Sequence, residues 1–245
     1  MPKFFTSKEN IDESTMTAFI EGDGARHIAR SLRMAVGDTL TVSDGDGGEY
    51  SAVLTKIRDE RCDMDITEKL AVTTEPPVKV TLFMAYPKSD KLETVIQKAT
   101  ELGASQIIPF ESSRCIKRPG KDKADVRRAR LQRIAEEAAK QCGRAIIPSV
   151  SDVMSFSQIV AKMKDYDLSL FCYEGKNTVS IKEALAGKTP RTAAVVVGSE
   201  GGFSEDEALA AEAAGAILTG LGARILRCET APDYVLSVIS YVFEL

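Results

Sequence analysis

The spacing of apolar residues changes along the chain, and the change predicts two kinds of structure. Residues 38–42, 50–57 and 61–67 alternate between apolar and polar side chains, as strands with one buried face do. Residues 43–49 join the first two runs, and their Asp-Gly and Gly-Gly steps supply the positive φ that tight hairpins need. The pattern therefore predicts a small β-barrel over residues 1–70.

A Pro-Pro step separates this region from the rest of the chain. Residues 71–77 read AVTTEPP, and because proline fixes φ and disfavours helix we interpret them as an extended linker. Residues 78–245 then show the alternating strand and helix patterns of an α/β domain. Strands are predicted at 78–85, 106–110, 146–150 and 167–173, and helices at 91–102, 124–143, 156–164 and 232–245.

One late stretch, residues 193–231, has the order of a ligand site at the carboxyl ends of parallel strands. An apolar run at 193–197 leads into the glycine-rich turn 198–202, and Ser204 and Glu207 are spaced as a capping box for the helix that follows. The turn alone is weak evidence, since glycines after a strand are often only turn residues. It also lacks the spacing of GxGxxG, and the chain contains neither GxxxxGK[ST] nor GxSxG.

The second half of that stretch mixes apolar and charged side chains. Arg227 and Glu229 directly follow Ile225 and Leu226, and charges so close to a core are costly unless they are paired or used. An internal ion pair between Arg227 and Glu229 and a functional role for both residues remain alternatives.

The distribution of charge along the chain and the net charge point to different partners. The 245 residues carry a net charge of −4, which alone argues against a nucleic-acid binder. Residues 112–144, however, hold 11 Lys and Arg against 4 Asp and Glu. The helix predicted there places four cations on the side opposite its apolar stripe, and a second cluster lies within residues 24–34. Each cluster can be a solvated helix surface or a phosphate-binding patch.

Other residues limit the chemistry. The five cysteines are scattered, His27 is the single histidine, and nothing has metal-ligand spacing, so no metal and no disulfide framework are expected. The start of the sequence lacks a basic segment followed by an apolar one, and no apolar run approaches the length of a membrane span. A cytoplasmic protein without membrane contact is therefore expected.

Two motifs carry a family resemblance, GSEGGFSEDE at 198–207 and LGARILRCETA at 221–231. Together they resemble the SPOUT methyltransferases of the RsmE family, which methylate N3 of a uridine in 16S ribosomal RNA. His27 with Leu32-Arg33, KATELG at 98–103, Arg114 and the segment 139–144 are also similar to that family, so the resemblance spans the chain. Ser199 stands where the family usually has proline, and Cys228 where it usually has threonine.

The resemblance implies a fold and a cofactor. The fold is an α/β SPOUT domain with a C-terminal trefoil knot, preceded by a PUA-like β-barrel that binds RNA, and the chain is expected to form a homodimer. The domain limits would be 1–70, 71–77 and 78–245. S-adenosylmethionine would be held by residues of three loops: Leu170, Cys172, Gly198, Ser199, Glu200, Gly201, Gly202, Leu221, Gly222, Ile225, Leu226, Arg227 and Thr230.

The resemblance also suggests roles at the reacting base. Because arginine stays charged, Arg114 and Arg227 would donate hydrogen bonds to the uracil oxygens, and Glu229 would accept the N3 proton. RNA of the small ribosomal subunit would be bound by Arg26, His27, Arg30, Arg33, Lys98, Arg130, Arg133, Lys140 and Arg144. Three alternatives stay open: another SPOUT RNA methyltransferase (ribose 2′-O or guanine N1), a non-catalytic RNA-binding assembly factor, and a nucleotide-dependent oxidoreductase.

Overall fold

A computed structural model describes residues 1–116 and 122–245. The described chain divides into two compact units, one of Met1–Glu75 with Ala139–Ile147 and one of Pro76–Ala138 with Pro148–Leu245. The sequence pattern alone ended the first domain at residue 70, and it did not indicate that residues 139–147 belong with the barrel region. Two cations predicted to lie on the basic helix, Lys140 and Arg144, are therefore residues of the first unit.

The first unit is built on one six-stranded sheet. Its strands are β1 (Lys3–Phe5), β2 (Ile11–Asp12), β3 (Thr17–Glu21), β4 (Thr39–Ser43), β5 (Glu49–Ile57) and β6 (Arg61–Lys69). They lie in the order β1-β4-β5-β6-β3-β2, and all pairs are antiparallel except β1 with β4. Alternate residues of β5 and β6, such as Leu54 and Met64, are fully buried, which confirms the period-two pattern.

A short helical segment interrupts the strands of the first unit. It consists of α1 (Asp23–Arg26) and a π-helical turn at His27–Ser31. Ala25 and Ile28 are buried on its inner side, while Arg30 is exposed. A helical segment therefore carries this cluster of cations, and its apolar side belongs to the core of the first unit.

The second unit contains an eight-stranded sheet in which every pair is parallel. Its strands are β7 (Lys79–Ala85), β8 (Ala104–Glu111), β9 (Ser149–Val150), β10 (Met154–Ser155), β11 (Leu168–Cys172), β12 (Val179–Ser180), β13 (Thr192–Val197) and β14 (Ile217–Gly220). The order is β10-β8-β7-β13-β11-β14-β12, with β9 beside β8. The central strands read as apolar runs because parallel sheets are covered on both faces.

Helices accompany this sheet. They are α2 (Lys91–Glu101), α3 (Ala124–Cys142), α4 (Phe156–Met163), α5 (Ile181–Leu185), α6 (Glu205–Ala213) and α7 (Thr230–Phe243). The helices predicted from periodicity agree with α2, α3, α4 and α7 within three residues at each end. Within residues 1–116 and 122–245, no helix combines the length and the apolar character needed to cross a membrane.

The strand order decides where the loops meet. β13 lies between β7 and β11, and β14 follows β11 on the other side. Because these strands are parallel, the segments that leave β11, β13 and β14 emerge at one edge of the sheet. The two glycine-bearing motifs of the sequence are two of these three segments.

Candidate functional site

A cavity of about 920 Å³ lies at this edge, in the second unit. Its walls come from three loops that follow β11, β13 and β14, with Lys91 and Arg114 added from elsewhere in the same unit. Eleven of the thirteen residues predicted to bind the cofactor line it: Cys172, Gly198, Ser199, Glu200, Gly201, Gly202, Leu221, Gly222, Ile225, Leu226 and Arg227.

Two residues of that prediction do not line the cavity. Leu170 is fully buried within β11, and its side chain belongs to the apolar core of the second unit. Thr230 is the first residue of α7 and is exposed. Neither residue contributes to the cavity wall, and their predicted contact with the cofactor stays a prediction.

The loop after β13, residues 198–203, folds tightly on itself. The Gly202 N–H donates to the Ser199 carbonyl at 2.9 Å, and Gly202 has a φ of 62°, which glycine adopts without strain. A Cβ on Gly198 would lie 3.1 Å from the Gly202 Cα, so a side chain there would crowd the turn. The Ser204–Glu207 capping box then starts α6, as the sequence predicted.

Glu207 does more than cap a helix. Its buried carboxylate also accepts hydrogen bonds from the Ser113 N–H at 2.7 Å and the Ser113 hydroxyl at 2.9 Å. The next residue, Arg114, donates to the Gly201 carbonyl at 3.4 Å, and a Cβ on Gly201 would lie 2.8 Å from the Arg114 carbonyl oxygen. Glu207 and Gly201 therefore fix Arg114 beside the loop after β13, at the cavity wall.

Lys91, which the sequence analysis did not assign to the site, lies between two of the loops. Its ammonium is 3.1 Å from a Glu200 carboxylate oxygen and 3.1 Å from a Glu229 carboxylate oxygen. Glu200 also accepts a backbone hydrogen bond from Lys88 at 3.3 Å. A signal for Lys91 existed in the sequence, because a lysine at the first residue of a helix opposes the helix dipole and needs a compensating partner.

The carboxylates of this cluster are held in the ionised form. Burial raises the pKa of Glu229, but hydrogen bonds from its own backbone N–H, the Cys228 thiol and Lys91 outweigh burial and leave the pKa below its usual value. The pKa of Glu200 is lowered in the same way, with burial again opposing its hydrogen bonds and Lys91. Burial, followed by the Glu229 carboxylate, raises the pKa of Cys228 to about 12, so this thiol stays protonated and donates to Glu229 at 3.2 Å.

Arg224 and Arg227 also line the cavity, but they differ from Lys91 in their ion pairs. Both are exposed and line the cavity, and in the described part of the chain no carboxylate lies within ion-pair distance of either. Glu229 pairs with Lys91, so the internal Arg227–Glu229 pair considered from the sequence is not formed. Ile225 between them is 82% exposed, which leaves an apolar surface open to a ligand.

Most of the cations predicted to bind RNA have acidic partners within their own unit. Arg26 pairs with Asp23 and Glu60, Arg30 with Asp59, Lys98 with Asp233, Arg130 with Glu93 and Arg133 with Glu137, at N–O distances of 2.5–3.2 Å. For Arg33, His27 and Lys140, the described residues show no such ion pair. His27 packs edge-on against Phe4, 5.8 Å between ring centroids, and the Lys140 ammonium lies 5.9 Å from the same ring.

Arg144 requires a correction. Its predicted place on an exposed stripe is wrong, because the side chain is only 5% exposed and pairs with Glu75 at 2.7 Å. Glu75 also accepts the N–H groups of Ala145 and Ile146, so this pair fastens residues 144–146 within the first unit. A buried, paired guanidinium of this kind is a structural element rather than a free phosphate contact.

The fold and the site together define an α/β protein with a cavity at the carboxyl edge of a parallel sheet, lined by arginines, a lysine and several carboxylates. Within the described residues, no cluster of three His, Cys, Asp or Glu side chains could hold a metal ion. Residues 74–240 match the RNA methyltransferase domain family, and residues 20–66 match the RNA methyltransferase PUA domain. The chain therefore belongs to the RNA methyltransferase family, which confirms the resemblance seen in the sequence.

Individual relatives agree with this assignment. The chain is 37% identical to the ribosomal RNA small subunit methyltransferase E of Bacillus subtilis over 252 aligned positions, covering 100% of this chain and 98% of the relative. It superposes on the Neisseria gonorrhoeae protein of the same name, solved with S-adenosylmethionine, with a TM-score of 0.87, 28% identity and coverage of 99% and 98%. The chain also superposes on a methyltransferase from Legionella pneumophila that was solved with this cofactor, with a TM-score of 0.85 and 28% identity. The superposition covers 98% of this chain and 97% of that protein.

Proposed function

We propose that this protein transfers the methyl group of S-adenosylmethionine to N3 of a uridine in the 16S RNA of the small ribosomal subunit. The observation that carries the proposal is the cavity. It is lined by both motifs and by Arg114, Arg227 and Glu229, which are the residues that we assign to the reaction. The names and the bound cofactor of the relatives give the substrate class and the methyl donor.

The residues of the cavity fit this donor. Leu221, Ile225 and Leu226 provide apolar surface for a purine ring, and the loop after β13 provides backbone groups for polar atoms. Glu200 and Glu229 supply ionised carboxylates at the wall of the cavity to which we assign the sulfonium cation. When bound, S-adenosylmethionine supplies a methyl group on a positive sulfur, and every other requirement falls on the chain.

The acceptor nitrogen carries a proton that the enzyme must remove. Glu229 is ionised and can accept it, but a carboxylate with a lowered pKa is a weak base. Stabilisation of the negative charge that develops on the uracil oxygens therefore has to contribute more to the rate than proton removal by Glu229 does. Arg114 and Arg227 line the cavity and can donate hydrogen bonds to those oxygens.

The base assignment has its own test. Replacing Glu229 with glutamine should slow single-turnover methylation by roughly 100-fold, because loss of a positioned base removes a factor of this order. Rates would be measured from pH 6 to pH 9. An unchanged rate across this range would show that Glu229 does not take the proton.

RNA has to present the uridine outside its stack, and this costs a few kcal/mol that phosphate contacts must repay. We propose that Arg33, His27 and Lys140, which are exposed, contribute most among the predicted RNA-binding residues. The paired cations Arg26, Arg30, Lys98, Arg130 and Arg133 would contribute less, because each already has an acidic partner.

A homodimer and a cytoplasmic location belong to the same proposal. Helix α7 exposes Tyr234, Tyr241 and Val242, with Tyr241 73% exposed, and such a surface suits a contact with a second copy. Methylation of ribosomal RNA takes place where ribosomes are assembled, which suits a cytoplasmic enzyme.

The deciding experiment identifies the methylated nucleoside. Purified protein would be incubated with labelled S-adenosylmethionine and with small ribosomal subunits that lack the modification, and the RNA would be digested to nucleosides. We expect label in 3-methyluridine. Label in a 2′-O-methylated nucleoside or in 1-methylguanosine would assign the other SPOUT chemistries. Cofactor binding without transfer, or no binding, would contradict the proposal.

A further inference from the structure

Lys91 connects two segments that are far apart in the sequence. It begins α2, and its ammonium contacts Glu200 in the loop after β13 and Glu229 in the loop after β14, at 3.1 Å each. All three side chains line the cavity. The only covalent link between the two loops runs through α6 and β14, so this ammonium is a direct non-covalent connection across the cavity wall.

The charges explain why the connection matters. Two ionised carboxylates that share one cation repel each other when the cation is removed. The side chains of Lys91, Glu200 and Glu229 are 34%, 25% and 22% exposed, so they are less screened than pairs at the open surface. Without Lys91, both loops therefore lose an attraction and gain a repulsion.

The position of Lys91 is not one that local helix formation favours. The N-cap residue Asp90 makes no side-chain capping bond, and a cation at the first helical residue faces the positive end of the helix dipole. The two carboxylates compensate for this placement. A local penalty that is repaid by contacts at a ligand cavity indicates a functional position.

We propose that Lys91 is a positioning residue that ties the loops after β13 and β14 together and thereby sets the width of the methyl-donor cavity. The proposal rests on the proposed function, since it takes the cavity to be the donor site. It assigns Lys91 no contact with the reacting atoms. Its effect passes through Glu200 and Glu229, and the same bridge orients Glu229 for proton transfer.

The test measures the affinity for S-adenosylhomocysteine by calorimetry. Lys91→Met should weaken binding about tenfold, because the two lost ion pairs are partly exposed and together are worth on the order of a factor of ten. Lys91→Arg keeps the positive charge and has enough N–H donors to reach both carboxylates, so it should retain most of the wild-type affinity. Arg128→Met is the matched control: it removes an ion pair with Asp152 in the same unit, away from the cavity, and should leave the affinity unchanged.

A double-mutant cycle separates coupling from general damage. If Lys91 acts through Glu200, Lys91→Met should cost clearly less in a Glu200→Gln background than in the wild type. Steady-state kinetics should show a raised KM for the donor in Lys91→Met, with KM recovered in Lys91→Arg.

Three results would overturn the inference: wild-type affinity in Lys91→Met, equal losses in both backgrounds, or no recovery with arginine. If Lys91→Met does not fold, Lys91→Gln repeats the cycle with a polar side chain at the helix start. Failure of the proposed function gives different results: a chain that is no methyltransferase would bind no S-adenosylhomocysteine even as wild type. A chain that methylates another position would label another nucleoside and leave the outcome of the Lys91 cycle unchanged.

Discussion

Most arginines of the first unit and those around the cavity differ in their partners. In the first unit, Arg26 and Arg30 pair with nearby acids, and Arg58 and Arg61 share Asp63. At the cavity, Arg224 and Arg227 have no such partner among the described residues, although the wall also holds Glu200 and Glu229. In the cavity it is a lysine that takes both carboxylates, which leaves the arginines available to a ligand.

This comparison limits what a charge count can predict. A cation paired with a carboxylate contributes little net field, while an unpaired guanidinium retains its full field and its hydrogen-bond donors. The sequence showed clusters of cations in both units but not their pairing. The following predictions test whether pairing separates structural from functional cations.

The largest effect is expected at the unpaired arginine of the second motif. Arg227→Ala should slow single-turnover methylation roughly 100- to 1000-fold, because loss of one donor to a developing oxyanion costs that much. Arg191→Ala is the control, an exposed arginine of the same unit away from the cavity, and it should keep the wild-type rate. A rate for Arg227→Ala within threefold of wild type would remove Arg227 from the chemistry.

The second effect concerns the support of Arg114. Glu207→Gln keeps the shape of the side chain, but it removes the negative charge and replaces one of the two oxygens that accept the Ser113 hydrogen bonds. We expect methylation to fall about tenfold, because charge-assisted hydrogen bonds are weakened and Arg114 loses its position. Donor affinity should change less than the rate. Equal loss of affinity and rate would indicate general damage to the loop after β13 instead.

The third effect compares unpaired and paired cations directly. Arg33→Glu with Lys140→Glu should weaken RNA binding and flatten its dependence on salt by roughly one unit of slope per lost phosphate contact. Arg26→Glu with Arg30→Glu should flatten the slope less, because these side chains are tied to acids. Equal slopes for both pairs would mean that pairing in the free protein does not predict RNA contact.

The smallest effect is on stability. Arg30 lowers the pKa of Asp59 in the folded protein, so the pair adds stability above the unfolded-state pKa of about 4, and this is lost as pH falls through the lower folded-state value. Asp59→Asn should therefore lower the urea midpoint slightly at pH 6, and the difference from wild type should shrink toward pH 3. A difference that grows at low pH would contradict the assigned shift.

The sequence predicted the residues that line the cavity better than the residues that hold those loops in place. The two glycine-bearing motifs contain most of the cavity wall, because a strand followed by a glycine turn constrains its own geometry. The site role of Lys91, the contact of Glu207 with Ser113 and the burial of Arg144 were missed. Glu207 and Ser113 are 94 positions apart, and Arg144 and Glu75 are 69 apart, so no local pattern connects them.

The sequence by itself determined the succession of strands and helices along the chain, the residue types of the two motifs and the membership in the RNA methyltransferase family. These features follow from periodicity, turn chemistry and short motifs, which act over a few residues. The tertiary structure alone decided which cations are neutralised and which face the cavity. Ion pairs depend on distances of 3–4 Å between side chains whose separation is set by the strand order, and strand order is not encoded in any single segment.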